Sequence, residues 1–171
     1  MEILTSLHGR RFGLSKDNSL ILRNGADELI LPSTRLVNVT AATVTITKDL
    51  HAGRIVTLNR AGGITATLPA ATGTGDEYRF FVGTTFTSSG IIQVANATDI
   101  MQGGVAVSTD AAGVTILTAA TSDTITMNGS TTGGLKGSNV KLIDVASGLF
   151  MVEGFLISTG SEATPFSAAV S

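Results

Sequence analysis

The chain has 171 residues, no cysteine and a formal charge of −2. That length permits one domain with arms or two very small ones, with a core that needs no covalent staple. The lack of cysteine excludes disulfides, thiolate metal sites and cysteine nucleophiles together.

Charged residues are only 14% of the chain, against roughly a quarter in ordinary globular proteins. Thr, Ser, Asn, Gly and Ala must therefore cover much of the surface, as in assemblies whose subunits bury surface against each other. Aromatic residues are scarce, with seven Phe, one Tyr and no Trp, which argues against a stacking platform for sugars or bases. The charge is uneven. Residues 1–79 hold nine of the eleven Lys/Arg and seven acids, and residues 80–171 hold two and six. The cations are scattered, so no nucleic-acid footprint is expected. The gradient would instead orient the chain on a charged partner. Met1–Arg11 has no apolar leader and no small-residue cleavage site. No run of about 18 apolar residues exists, so no membrane span is expected. The sequons at Asn38, Asn96 and Asn128 read as chance products of a Thr/Ser-rich sequence.

Three zones follow in chain order. Residues 1–36 read as an N-terminal arm with two short strands, Leu20–Leu22 and Leu29–Leu31, joined by a turn at Asn24-Gly25 and stopped by Pro32. Residues 37–158 read as a β-rich core. Thr43-Val-Thr-Ile-Thr47, Ile64-Thr-Ala-Thr-Leu68 and Thr124-Ile-Thr-Met127 alternate polar and apolar residues, which marks half-buried strands. Further strands are predicted at 54–58, 78–82, 91–94, 114–117, 140–144 and 150–153. Turn clusters separate them at 60–63, 72–76, 87–90, Gly103-Gly104, 128–134 and 147–148. Helical signal is thin: one turn at 50–54 and another at 110–112. Residues 159–171 read as an extended C-terminal tail, poorly ordered unless a partner holds it. The whole is an all-β fold, a β-sandwich or a small, tulip-like β-barrel, with an extended arm and tail.

Candidate chemistry is sparse. His8 and His51 have no companions at metal-ligand spacing; Asp49 is the nearest acid to His51. Asp27-Glu28 and Asp76-Glu77 are adjacent pairs, which on a strand point opposite ways and form no glycosidase dyad. No calcium-loop pattern is present. Ser138-Asn-Val-Lys141 matches the S-x-x-K pattern of serine acylases, but that pattern needs a helix start and partner motifs that are missing. Gly133–Ser138 and Gly73–Gly75 lack the endings of phosphate loops and read as turns. No catalytic residue, metal or cofactor is assigned. Arg10-Arg11, between Gly9 and Gly13, suit pairing with carboxylates on another chain.

The order of segments resembles a family of small tailed-phage virion proteins, among them capsid decoration (cement) proteins. The resemblance is carried by Leu4-Thr-Ser-Leu-His-Gly-Arg-Arg-Phe-Gly-Leu14, by Val44–Gly63 continuing through Ile64–Gly73 to Tyr78-Arg-Phe-Phe-Val82, by Asn128–Gly134, and by Gly160-Ser-Glu-Ala-Thr-Pro-Phe-Ser167. It implies a β-rich, non-enzymatic protein on the outer capsid surface, made in the host bacterial cytoplasm. Its partners would be the major capsid protein and itself, as a homotrimer, with no nucleic acid and no membrane. In that setting Arg10, Arg11, Phe12, Leu20 and Leu22 are assigned to capsid contact. Phe80, Phe81, Ile91, Pro165 and Phe166 are assigned to self-association, the last two as a clip on a neighbouring subunit. The competing reading is a head-fibre or tail-fibre module that recognises host surface glycan. A cell-wall hydrolase is disfavoured by the missing carboxylate dyad.

Overall fold

The computed structural model describes residues 2–7, 10–14, 20–24, 27–31 and 35–170. Two compact units divide the chain, residues 1–35 and 36–171. Among the described residues, every regular element apart from one four-residue helix is a strand.

The first unit is an antiparallel meander of β1 (Glu2–Leu7), β2 (Arg10–Leu14), β3 (Leu20–Asn24) and β4 (Asp27–Leu31), in sheet order. It holds four strands where the sequence suggested two. The first two escape pattern reading because Thr5, Ser6, Arg10, Arg11 and Gly13 break any apolar alternation. Cross-strand pairing, with a bulge between Ile3 and Thr5, makes them strands nonetheless. Leu20 lies opposite Leu31 and Leu22 opposite Leu29. Asn24 pairs Asp27 across the hairpin, so the Asp27-Glu28 pair opens β4. Gly25 and Pro32 lie outside the described residues.

The second unit begins with β5 (Leu36–Val39), β6 (Thr43–Thr45), α1 (Lys48–His51), β7 (Ile55–Leu58), β8 (Thr65–Thr67), β9 (Glu77–Val82) and β10 (Gly90–Gln93). It continues with β11 (Ile100–Ser108), β12 (Gly113–Leu117), β13 (Thr124–Met127), β14 (Asn139–Ala146), β15 (Leu149–Ile157) and β16 (Phe166–Ser167). Two mixed sheets pack face to face as a β-sandwich. One has five strands in the order β16-β13-β10-β8-β6, the other seven in the order β12-β11-β15-β14-β9-β7-β5. Neither closes into a barrel.

The chain changes sheets at each of its first five connections. β5, β7 and β9 stack in parallel in the larger sheet, while β6, β8 and β10 stack in parallel in the smaller one. Residues 36–93 thus form three rungs of a flattened coil. Antiparallel pairing ends the coil: β14 adds to β9 and β13 to β10. Alternation along each strand fills the space between the sheets. Tyr78, Phe80 and Val82 point inward from β9, Val140 and Leu142 from β14, and Ile92 and Ile125 from the facing sheet, all at most 2% exposed. The Tyr78 and Phe150 rings meet edge to face at 6.5 Å. Burial, aided by the nearby Asp76 and Asp144 charges, pushes the Tyr78 hydroxyl up to about 12.

Three expectations change. Gly103-Gly104 is no turn; it lies mid-way along the nine-residue β11. Gly103 sits at φ +140, and a Cβ there would run into the Val152 carbonyl of the paired β15. Glycine here marks close backbone approach, not chain reversal. Residues 110–112 form a turn closed by Thr109, not helix, with both backbone and hydroxyl contacts to Ala112. The tail is not loose. Its Phe166-Ser167 pairs with β13, Phe166 is buried, and the backbone N–H groups of Ala169 and Val170 donate to the Asp123 carboxylate at 2.8 and 3.3 Å.

Asp144 is the most heavily engaged side chain. It is 3% exposed. Its carboxylate accepts backbone N–H groups of Thr72 at 3.0 Å, Gly73 at 2.6 Å and Thr74 at 3.3 Å, and the hydroxyls of Thr72 and Thr74. Burial opposes the charge, but the donors from Gly73, Thr72 and Thr74 outweigh it and hold the carboxyl below its ordinary value. A depressed folded pKa stabilises the fold above the unfolded value near 4 and loses that contribution as pH falls through the folded one. Asp144→Asn should cost about 1–3 kcal/mol at pH 7. The deficit should shrink as pH drops below about 4, as read by urea midpoints across pH. Phe166→Ala should cost about 3 kcal/mol in the same assay. Its mass in solution should match the parent's, since the ring is buried by its own chain.

Candidate functional site

Strand alternation gives each sheet one inward and one outward side. The two outward sides differ in chemistry. On the five-stranded sheet, Thr43, Thr65, Ile91 and Thr126 form one cross-strand row, and Thr45, Thr67, Gln93, Thr124 and Ser167 the next. On the seven-stranded sheet a row runs Leu117, Gly104, Glu153, Lys141, Arg79, Ile55 and Leu36. The next row runs Thr115, Ala106, Phe155, Asn139, Phe81, Thr57 and Asn38.

These two rows carry Leu36, Ile55, Phe81, Leu117 and Phe155, five of the eight large apolar side chains left exposed among the described residues; the threonine face carries none of the eight. Phe81 is 37% and Phe155 44% exposed. Between them, over Asn139, lies a groove of about 500 Å³ bordered by Ile55, Arg79, Lys141 and Glu153. The charges on this face are paired: Lys141 with Glu153 across strands, and Arg79 with Glu77 along one. The Glu77 hydrogen bond raises the Arg79 pKa further, keeping it protonated.

Of the residues assigned to self-association, the structure leaves Phe81 on this face. Phe80 points into the core at 2% exposure, and Ile91 is half-buried within the threonine face. Pro165 and Phe166 are buried by their own chain, with the Pro165 carbonyl accepting from Thr126 at 2.8 Å. In this structure the two residues assigned to the clip are packed within their own subunit. Of the residues assigned to capsid contact, Arg10, Arg11 and Phe12 lie on β2, with Leu20 and Leu22 on β3. Register puts Phe12 opposite Leu22, Arg10 opposite Asn24 and Arg11 opposite Arg23. The side chains of Arg10, Arg11, Phe12 and Leu22 lie outside the described residues.

The catalytic candidates are scattered into structural roles. Ser138 is fully buried, and its hydroxyl accepts the Ile157 N–H at 2.9 Å and the Gly134 N–H at 3.2 Å. Lys141 points outward to Glu153, so Ser138 and Lys141 face opposite ways. Asp76 pairs with Lys48 at 3.0 Å, and Glu77 is taken up by Arg79. His51 is buried, and its Nδ1 accepts the Thr47 N–H at 3.0 Å. His8 lies outside the described residues. Among the described residues no group of three or more His, Asp or Glu is placed to hold a metal, and no helix is long and apolar enough to cross a membrane.

Sequence reading missed Asn139, Phe155, Ile55 and Leu36 as outer-face residues. For Asn139 the signal was present in Asn139-Val-Lys-Leu142, which alternates polar and apolar residues, whereas Leu149–Ile157 is apolar at nearly every position and does not mark Phe155 as outward. No family model, curated protein or solved structure matches the chain.

Burial lowers the His51 pKa, partly offset by the contact of Nδ1 with the Thr47 carbonyl at 3.2 Å, with Arg54 lowering it further. The ring should titrate below the ordinary imidazole range. Imidazole NMR titration checks this, and chain stability should fall as pH drops through that range, because the folded state resists the proton.

Proposed function

We propose that this chain is a structural protein of a phage virion, a decoration protein that binds the outer surface of the capsid lattice and stabilises the head. The observation that carries the reading is the division into a small β-meander bearing Arg10 and Arg11 and a β-sandwich whose polar side chains serve its own connections. In this reading the meander grips the major capsid protein and the sandwich stands as the displayed body. Capsid contact belongs to the β2–β3 pair, where Phe12 pairs with Leu22 and Leu14 with Leu20, and Arg10 and Arg11 follow along β2 opposite Asn24 and Arg23. Arginine suits that task because its planar guanidinium pairs with carboxylates in two-point contacts. Copies that also associate with each other multiply the contacts per assembly and lengthen residence on the lattice. The threonine-rich face, free of exposed large apolar groups, suits a surface turned to solvent.

Cryo-electron microscopy of the virion that encodes the chain should place the sandwich outside the capsid shell and residues 1–35 against it. Density confined to a tail or head fibre would replace this reading with host-glycan recognition. In a co-sedimentation assay with capsids lacking the protein, the Arg10→Glu/Arg11→Glu variant should bind at least tenfold more weakly, with unchanged circular dichroism. Binding by the parent chain should weaken as salt rises.

A further inference from the structure

We infer that the outer face of the seven-stranded sheet is a two-fold contact between copies of this chain, centred on Asn139. The inference is carried by this surface alone and does not rest on the virion reading. Three features of the face point to a second copy as its occupant.

The first is the arrangement of the middle row. Phe155 and Phe81 stand on either side of Asn139, on β15 and β9 with β14 between. Two strand spacings separate the rings by about 9–10 Å. The row continues outward with Ala106 and Thr115 on one side and with Thr57 and Asn38 on the other. Small or polar residues thus flank a Phe-Asn-Phe centre in both directions. Turned by half a revolution about Asn139, the row presents a ring where the other copy presents a ring. That is the self-complementarity an isologous interface requires. Asn139 meets Asn139, and each amide offers both a donor and an acceptor to its copy.

The second feature is charge. The neighbouring row places Glu153 and Lys141 in register, and Arg79 is paired with Glu77 on the same sheet. Each copy therefore brings balanced, alternating signs to the contact. Glu153 and Arg79 flank Lys141 in register on opposite sides, so a half-turn about the direction of β14 sets Arg79 of each copy against the partner's Glu153.

The third feature is contrast. The exposed apolar groups Leu36, Ile55, Phe81, Leu117 and Phe155 share this face, and the opposite face of the same sandwich has threonines instead. An apolar centre with a charged and amide surround is the composition of a protein–protein contact, and the two rings are its natural anchors.

The chain has no cysteine, so a single Asn139→Cys substitution reports the geometry directly. Under a mild oxidant such as diamide, Asn139→Cys should cross-link to a disulfide dimer at least tenfold faster than Thr65→Cys on the opposite face. Multi-angle light scattering of the parent chain should give twice the chain mass at micromolar concentration. Phe81→Glu/Phe155→Glu should return a single-chain mass with unchanged circular dichroism. A single-chain or three-chain mass for the parent, or equal cross-linking at the two cysteines, would overturn the two-fold contact. Both readouts stand even if the double glutamate variant fails to fold. Loss of capsid binding with the dimer intact would count against the virion reading alone.

Discussion

Three buried carboxylates hold the connections of this sandwich in place. Asp99 accepts the Ala71 N–H at 3.0 Å and the Asn96 amide at 2.9 Å. Asp123 takes the tail through Ala169 and Val170 and the hydroxyl of Thr124. Asp144 takes three consecutive N–H groups from Thr72 to Thr74. The need arises from the path of the chain. A hairpin satisfies its backbone within the turn, but a connection that leaves one sheet for the other runs past the end of the core with its N–H groups unmatched. Leaving such a group buried and unpaired costs about 1–3 kcal/mol each, so a few acids at strand ends decide whether these crossings are tolerable. They also explain how a chain with so few charges keeps three acids inside.

The same alternation between sheets produces the two faces. Each rung contributes one strand to each sheet, so every rung presents one side chain set to either exterior. Thr43 and Thr65 stack on the smaller sheet in register, as do Leu36 and Ile55 on the larger. Over the first two rungs the stacking adds threonine to threonine and apolar group to apolar group, and the third brings Ile91 to the threonine row and Arg79 to the other. The antiparallel strands that close the coil extend each face with the same character, Thr124 and Thr126 on one side and Phe155 on the other.

Much of this was legible in the sequence where alternation is local. Thr43–Thr45, Thr65–Thr67 and Thr124–Met127 carry their pattern within three or four residues, and the all-β sandwich follows from such runs. The coil was not legible. Leu36 aligns with Ile55 and Ile55 with Arg79 at unequal intervals, so no fixed repeat appears. Its parallel pairings depend on residues far apart in the chain. Gly103-Gly104 misled because glycine signals both turns and close strand approach, and only the Val152 carbonyl beside it distinguishes them. The tail misled for a similar reason. Small residues after Thr159 suggest disorder, yet their order comes from Asp123 and from β13, neither of which is nearby in sequence. Phe80 and Phe81 show the limit at the candidate site. Composition marks both as contact residues, but only the phase of the strand says which one faces outward.

The staple at Asp144 and the surface around Asn139 belong to the same strand and depend on each other. β14 runs from Asn139, at the centre of the outward row, to the point where Asp144 grips residues 72–74. Just past that grip the pairing with β15 shifts register between Asp144 and Ala146. Side chains alternate with a period of two, so a slip of one residue would turn Val140 and Leu142 outward and bury Lys141. Burying that lysine away from Glu153 and exposing two core residues would both cost free energy. Packing therefore favours one register, and Asp144 pins the strand at the end where the bulge would otherwise let it creep. The Phe-Asn-Phe row keeps its register with the help of a carboxylate at the far end of its central strand, held by three backbone N–H groups.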